Sequence, residues 1–225
     1  MIPIRDTIPS RRTAWVTRAL LVANVVAFAL ELRQGSGLES FVYRYGVVPS
    51  HWIISSPSDF LDWPHLFLTL LTSQFLHGGF FHLGANMLYL WIFGDNVEDR
   101  LGPLRFLCLY LGSGAVAALS HLLLSPSARV PMIGASGAIA GVLGAYLLMF
   151  PGAKIVTLVP FGFFLQTVEL PAFLFLGIWF LLQWFEGIRS IGQVADVGGV
   201  AFWAHVGGFI SGIVGVAMMR PRRRW

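Results

Sequence analysis

The chain contains few charged residues. Asp, Glu, Lys and Arg make up 12% of its 225 residues, whereas a soluble domain usually carries about a quarter. Several apolar runs are nearly free of charge and close to the length that crosses about 30 Å of hydrocarbon. The composition therefore excludes an ordinary soluble domain and predicts a polytopic membrane protein.

Cysteine is also scarce, since Cys108 is the only one. A single thiol provides neither a disulfide framework nor a clustered thiol metal site. His77 and His82 belong to no HExxH motif, so we expect no zinc site and no cofactor. Because there is no soluble surface on which a basic patch could lie, we also expect no nucleic-acid partner.

Six apolar segments have the length of membrane spans. We predict an all-α bundle of six transmembrane helices, at about 14–32, 79–97, 104–124, 134–150, 170–188 and 200–219. Residues 33–74 form a long connection rich in aromatic side chains, which favour the membrane interface, so we expect it to lie half-embedded in one leaflet. Residues 1–13 and 220–225 then form an N-terminal cytoplasmic segment and a basic cytoplasmic tail around a domain at 14–219.

The basic residues set the orientation of this bundle. With the N-terminus inside, most of the 15 Lys and Arg residues lie at inner ends and loops, as the positive-inside rule requires. Both termini are therefore expected in the cytoplasm. No short apolar core with a small-residue cleavage site follows the N-terminus, so we expect no signal peptide. The four basic residues on the outer side are Arg33, Arg44, Arg129 and Arg189.

Four polar side chains fall at one depth of the predicted bundle. Spans two, four and six all run from outside to inside. Span two carries His82 and Asn86 in its first two turns, span four carries Ser136 in its first turn, and span six carries His205 in its second turn. At 1.5 Å per residue, all four lie within roughly 5–12 Å of the outer boundary. Polar groups inside a membrane are costly and usually face the bundle interior or a water-filled cavity. Their common depth predicts one shared site.

Glycine pairs indicate how two of these spans meet. Gly137 and Gly141 on span four, and Gly208 and Gly212 on span six, have the G-x-x-x-G spacing that lets membrane helices approach closely. Packing through these glycines would bring the serine of span four to the histidine of span six. Each feature alone also has a structural interpretation, because membrane serines often bond to their own backbone and histidines often bridge helices. The residues alone leave both interpretations open.

The motifs together resemble those of rhomboid intramembrane serine proteases, in the basic six-span bacterial form. The matching segments are QFLHGGFFHLGANMLYLWIFG with GDNVEDRLG, then PMIGASGAIAGVLGAY, then GGVAFWAHVGGFISG. They occur in order on spans two, four and six, and the likeness covers nearly the whole chain.

This resemblance implies a serine endopeptidase that cleaves membrane-protein substrates in or near their transmembrane helices. Ser136 corresponds to the family's nucleophile and His205 to its general base, while His82 and Asn86 correspond to the pair that stabilises the oxyanion. The backbone N–H of Ser136, at a helix N-terminus, would add a third donor. The site would open to the outer side of a bacterial plasma (inner) membrane. The sequence does not indicate an oligomeric state.

Two positions depart from the family pattern. Some relatives carry an aromatic residue one turn after the serine, stacked on the catalytic histidine, but that position is Ala140 here, so another group must orient His205. If Trp63 corresponds to the tryptophan of a Trp-Arg pair in the long connection, Pro64 replaces the arginine, and no anchoring role is expected there. Neither departure involves the Ser–His pair.

Two other functions fit parts of the pattern. A catalytically inactive rhomboid relative would bind membrane helices, but such proteins usually lack one residue of the dyad, and both are present here. A transporter could also use intramembrane histidines, but it would more often show inverted repeats and broken helices, which we do not find. The sequence therefore favours the protease.

Overall fold

The chain forms a helical bundle with a small β-sheet at one end. The computed structural model describes residues 2–53, 62–161, 164–190 and 200–219, so the predicted tail at 220–225 lies outside the described residues. In chain order the elements are β1 Ile2–Asp6, α1 Trp15–Leu32, α2 Leu38–Tyr45, α3 Trp63–Thr72, α4 Phe80–Leu101, α5 Pro103–Leu124, α6 Ser136–Met149, β2 Lys154–Phe161, β3 Phe164–Pro171, α7 Ala172–Ser190 and α8 Phe202–Met219.

Six helices, α1 and α4 to α8, correspond to the six predicted spans. By length and composition α1, α5, α7 and α8 can cross a membrane, and α6 is a shorter apolar helix. Val25 on α1, Leu182 on α7 and Val214 on α8 are each about half exposed. Exposed apolar side chains along the outside of a helical bundle are typical of lipid contact. The predicted polytopic helical bundle is confirmed, and the small sheet is an addition to the predicted all-α fold.

Two buried glutamates show that α1 and α4 run antiparallel. At the end of α4, the Glu98 carboxylate accepts the backbone N–H of Val16 at 3.0 Å and that of Thr17 at 2.7 Å. At the other end of α1, Glu31 accepts the backbone N–H of His77 at 3.1 Å, just before α4 begins. The first N–H groups of a helix lack intrahelical partners and favour negative charge, so Glu98 stabilises the start of α1.

Helix α6 lies at the centre of the bundle. Residues 137–146 are all buried, and the helix packs against α4, α5 and α8. A methyl group added to Gly208 would overlap the carbonyl oxygen of Gly137, and one added to Gly212 would overlap that of Gly141. The backbones of α6 and α8 are therefore in direct contact at both glycine pairs.

The connections contain more regular structure than the sequence predicted. The described residues of the 33–74 connection include α2, α3 and short 3-10 turns that begin at Gly35, Pro49 and Ser73. Between the fourth and fifth predicted spans, residues 154–161 and 164–171 form the antiparallel strands β2 and β3, and β1 adds a third antiparallel strand beside β2. The apolar run of β2, KIVTLVPF, is nearly continuous rather than alternating, and periodicity does not identify such a run as a strand.

Asp6, at the end of β1, ties the sheet to the bundle. The Tyr146 hydroxyl donates to Asp6 Oδ2 at 2.5 Å, and Asn96 Nδ2 donates to the same oxygen at 2.7 Å. Because Tyr146 belongs to α6 and Asn96 to α4, the sheet lies at the end of the bundle opposite Ser136. Burial, together with the negative charge of Asp95, raises the pKa of Asp6 to about 6.

The wild-type chain should become more stable as the pH falls from about 8 to about 5, because Asp6 becomes protonated. We expect Asp6→Asn to show a smaller increase in stability over this range. A carboxyl whose pKa is higher in the folded than in the unfolded chain stabilises the fold when protonated, and this contribution is lost as the pH rises through about 6. The measurement is Tm in detergent across this range. Glu39→Gln, at an exposed position of α2, should keep the wild-type pH dependence. The same dependence in Asp6→Asn as in the wild type would contradict this assignment.

Candidate active site

Ser136 and His205 face each other across the contact between α6 and α8. Ser136 is the first residue of α6, and His205 lies in the first turn of α8. The distance from Ser136 Oγ to His205 Nε2 is 2.8 Å, which is within hydrogen-bond range. His205 is only 9% exposed, so this contact is shielded from the surroundings. The pair can transfer a proton from a hydroxyl to an imidazole.

The turn into α6 depends on Gly134. Its φ is +124°, a conformation that favours glycine, and its N–H donates to the carbonyl of Ser73 at 2.9 Å. A methyl group added to Gly134 would lie 2.8 Å from Cε1 and Nε2 of His82. The turn places Ser136 at a helix N-terminus, where unpaired N–H groups and the helix dipole favour an anion.

His82 reaches the same place from α4. A methyl group added to Gly134, which would touch the His82 ring, would also lie 3.7 Å from Ser136 Oγ. The His82 ring and the Ser136 hydroxyl therefore both face Gly134. The backbone N–H of Gly78 lies 3.3 Å from His82 Nδ1. Because Nδ1 accepts this hydrogen bond, Nε2 carries the proton and can donate it. The ring of His77 packs edge-on against His82, with centroids 5.1 Å apart.

Asn86 lies one turn further along α4, on the same face as His82. It is 6% exposed, and its Nδ2 makes no hydrogen bond within the described part of the chain. A buried amide without a partner is costly and calls for a functional explanation. Ser136 and His205 are thus in contact, His82 lies beside them, and Asn86 is one turn deeper. Across the described ranges, no group of three His, Cys, Asp or Glu side chains is placed to hold a metal ion.

Two α7 side chains that the sequence analysis missed contact His205. Gln183 Oε1 lies 2.7 Å from His205 Nδ1, and the Trp179 ring centroid is 5.8 Å from that of the imidazole, with the planes at 38°. The support that Ala140 does not provide therefore comes from α7. The available signal was Gln183 itself, because an amide in an otherwise apolar span usually has a partner.

Comparison with known proteins agrees with these motifs. The Rhomboid domain family matches residues 64–222. The chain is 32% identical over 200 residues to Rhomboid protein 1, mitochondrial, of Saccharomyces cerevisiae, covering 87% of this chain and 51% of that protein. It is 37% identical over 120 residues to Rhomboid protease GluP of Bacillus subtilis, covering 53% and 21% respectively.

The chain spans about half the length of these relatives or less. A similar likeness is found to Presenilin-associated rhomboid-like protein, mitochondrial, of Homo sapiens, at 28% identity over 202 residues, covering 86% of this chain and 45% of that protein. Since the family match extends over more than half of the sequence and includes α4, α6 and α8, the chain belongs to the rhomboid family.

Proposed function

We propose that the chain is an intramembrane serine endopeptidase, which hydrolyses peptide bonds in or near the transmembrane helices of membrane-protein substrates. The observation that carries this proposal is the 2.8 Å contact between Ser136 Oγ and His205 Nε2 at the start of a buried helix. The relationship to a protein named a rhomboid protease supports the same reaction class. An inactive, helix-binding role is disfavoured because both residues are present and in contact.

The proposed reaction begins with proton transfer from Ser136 to His205. His205 Nε2 takes the hydroxyl proton while Ser136 Oγ attacks the scissile carbonyl, as in other serine hydrolases. The resulting imidazolium then gives the proton to the leaving amine, and the acyl-enzyme forms. A water molecule, deprotonated by the same imidazole, hydrolyses the acyl-enzyme and regenerates Ser136.

In this proposal, three donors stabilise the negative charge on the carbonyl oxygen during attack. They are the backbone N–H of Ser136, the Nε2–H of His82 and the Nδ2–H of Asn86. The N–H lies at a helix N-terminus, the His82 ring faces Gly134 beside Ser136, and the Asn86 amide has no other partner within the described residues. Donors fixed in advance and shielded from water are most effective for this purpose.

We further propose that the chain is a multi-pass protein of a bacterial plasma membrane, with both termini in the cytoplasm. The distribution of basic residues supports this orientation, since Arg18 and Lys154 lie at the sheet end of the bundle and Arg33 and Arg189 at the end with Ser136. The site would then open to the outer side. Its partners would be the lipid bilayer and transmembrane substrates, with no cofactor.

The test is to treat the full chain in detergent with a fluorophosphonate and, separately, with a reporter protein that carries a cleavable membrane span. We expect a covalent adduct on Ser136, located by mass spectrometry of the peptides, and cleavage within or near the reporter span. An adduct on a different serine would reject the assigned nucleophile. No adduct together with no cleavage of a panel of reporter spans would reject the function.

We expect Asn86→Ala to lower kcat by about 100- to 1,000-fold with little change in KM, because loss of one oxyanion donor typically has this effect. Initial rates of reporter cleavage provide the measurement. Asn96→Ala is the matched control, since it removes an amide from the far end of α4 that contacts Asp6, and should keep kcat close to the wild-type value. A wild-type kcat in Asn86→Ala would contradict the donor role.

A further inference from the structure

The imidazole of His205 lies between two oxygen atoms. Its Nε2 is 2.8 Å from Ser136 Oγ, and its Nδ1 is 2.7 Å from Gln183 Oε1. Both distances are within hydrogen-bond range. The two ring nitrogens are therefore each engaged by a different helix, α6 on one side and α7 on the other.

The amide oxygen of Gln183 selects one tautomer of the ring. A neutral imidazole has one N–H group and one nitrogen lone pair. A carbonyl oxygen only accepts, so its contact with Nδ1 requires the proton to be on Nδ1. The lone pair of Nε2 then faces the Ser136 hydroxyl, which is the state that a general base needs. With the proton on Nε2 instead, lone pairs of Nδ1 and Oε1 would face each other and repel.

Trp179 restricts the same ring from the side. It lies one turn before Gln183 on α7, so the two side chains share a face of the helix. Its ring is 5.8 Å from that of His205 and 6.0 Å from that of Phe209 on α8. The indole therefore packs beside His205 and limits the space around the ring. The hydrogen bond to Gln183 then sets the rotation of the imidazole.

We propose that Gln183 is a positioning residue for the Ser136–His205 pair, and that its amide oxygen fixes both the tautomer and the orientation of His205. This is the role that a carboxylate has in three-residue serine hydrolase sites. A neutral amide performs it without placing an ionised carboxylate inside the membrane, where such a charge is costly. The catalytic consequence rests on the proposed function, whereas the tautomer of His205 does not.

The first test compares Gln183→Met with Leu182→Met by the kinetics of reporter cleavage. Methionine has nearly the length of glutamine but no strong acceptor, so kcat of Gln183→Met should fall about tenfold or more with KM unchanged, as loss of one hydrogen bond predicts. Leu182 is adjacent on α7 and 55% exposed, so Leu182→Met should keep the wild-type kcat. Gln183→Glu, which keeps an oxygen acceptor at the same length, should recover part of the loss.

A wild-type kcat in Gln183→Met, or a loss that Gln183→Glu does not recover at all, would overturn the positioning role. Tm in detergent shows whether each variant is folded. If Gln183→Met is not folded, Gln183→Leu serves as the second variant without an acceptor. Its kcat is then compared with that of the wild-type chain.

The second test reads the tautomer directly and needs no substrate. Nitrogen-15 NMR of histidine-labelled protein, with His205 assigned by the signal missing in His205→Asn, should show a proton on Nδ1 in the wild type and a mixture of tautomers in Gln183→Met. The same tautomer in both proteins would overturn the proposal whether or not the chain is a protease. If the tautomer differs between the wild type and Gln183→Met but the wild type cleaves no reporter, the positioning role of Gln183 is supported and the proposed function is rejected.

Discussion

Ser136→Ala is expected to abolish both fluorophosphonate labelling and reporter cleavage. Alanine removes the oxygen that His205 Nε2 contacts at 2.8 Å, so no acyl-enzyme can form. In serine hydrolases, loss of the nucleophile lowers kcat by at least about 10,000-fold. Tm should change little, since one hydrogen bond contributes only about 1 kcal/mol net. Labelling intensity and the initial rate of cleavage are the two measurements.

Ser211→Ala is the matched control for this experiment. Ser211 is also a membrane-helix serine, but its hydroxyl donates to the carbonyl of Gly208 at 2.8 Å within its own helix, which is the ordinary structural role of such residues. It should keep wild-type labelling and cleavage. Labelling of Ser136→Ala at the wild-type rate would show that a different residue is the nucleophile. Cleavage by His205→Ala at the wild-type rate would show that His205 is not the general base.

The bundle was predictable because its signals are local in the sequence. Apolar length determines the spans, and the alternating direction of consecutive spans places the first turns of α4, α6 and α8 at the same end. The glycine spacing then indicates which helices come close. These three rules together predict Ser136 and His205 at one depth, and the structure has the two side chains within hydrogen-bond distance.

The support around that pair was not predictable, because it depends on contacts between distant parts of the chain. Gln183 was visible as an amide in an apolar span, but its partner could be identified only once α7 was placed beside α8. Glu98 caps the start of α1, a contact between residues more than 80 positions apart in the sequence. The sheet likewise needs β1 to pair with β2, with Ile2 opposite Leu158 far along the chain, and no local pattern encodes that pairing.

Gly208→Ala is expected to have the second large effect, on both stability and activity. The added methyl group would overlap the carbonyl oxygen of Gly137, and a backbone atom cannot rotate away, so α6 and α8 must separate. Overpacking of this kind typically costs about 1–3 kcal/mol. Because Gly208 is one turn from His205 and Gly137 is adjacent to Ser136, the separation falls at the site itself. A displacement of about 1 Å can cost about 100-fold in rate. We expect a lower Tm and a kcat reduced by about that factor.

Two further glycine substitutions separate the effect on the site from the effect on packing. Gly212→Ala would overlap the carbonyl oxygen of Gly141, but Gly212 lies two turns from His205, about 10 Å along α8. It should lower Tm as much as Gly208→Ala while reducing kcat less. A methyl group at Gly112 on α5 meets nothing within 4 Å, so Gly112→Ala should keep kcat and raise Tm slightly through its better helix propensity. If Gly208→Ala and Gly212→Ala both kept the wild-type Tm and kcat, close contact between α6 and α8 could not be what holds Ser136 against His205.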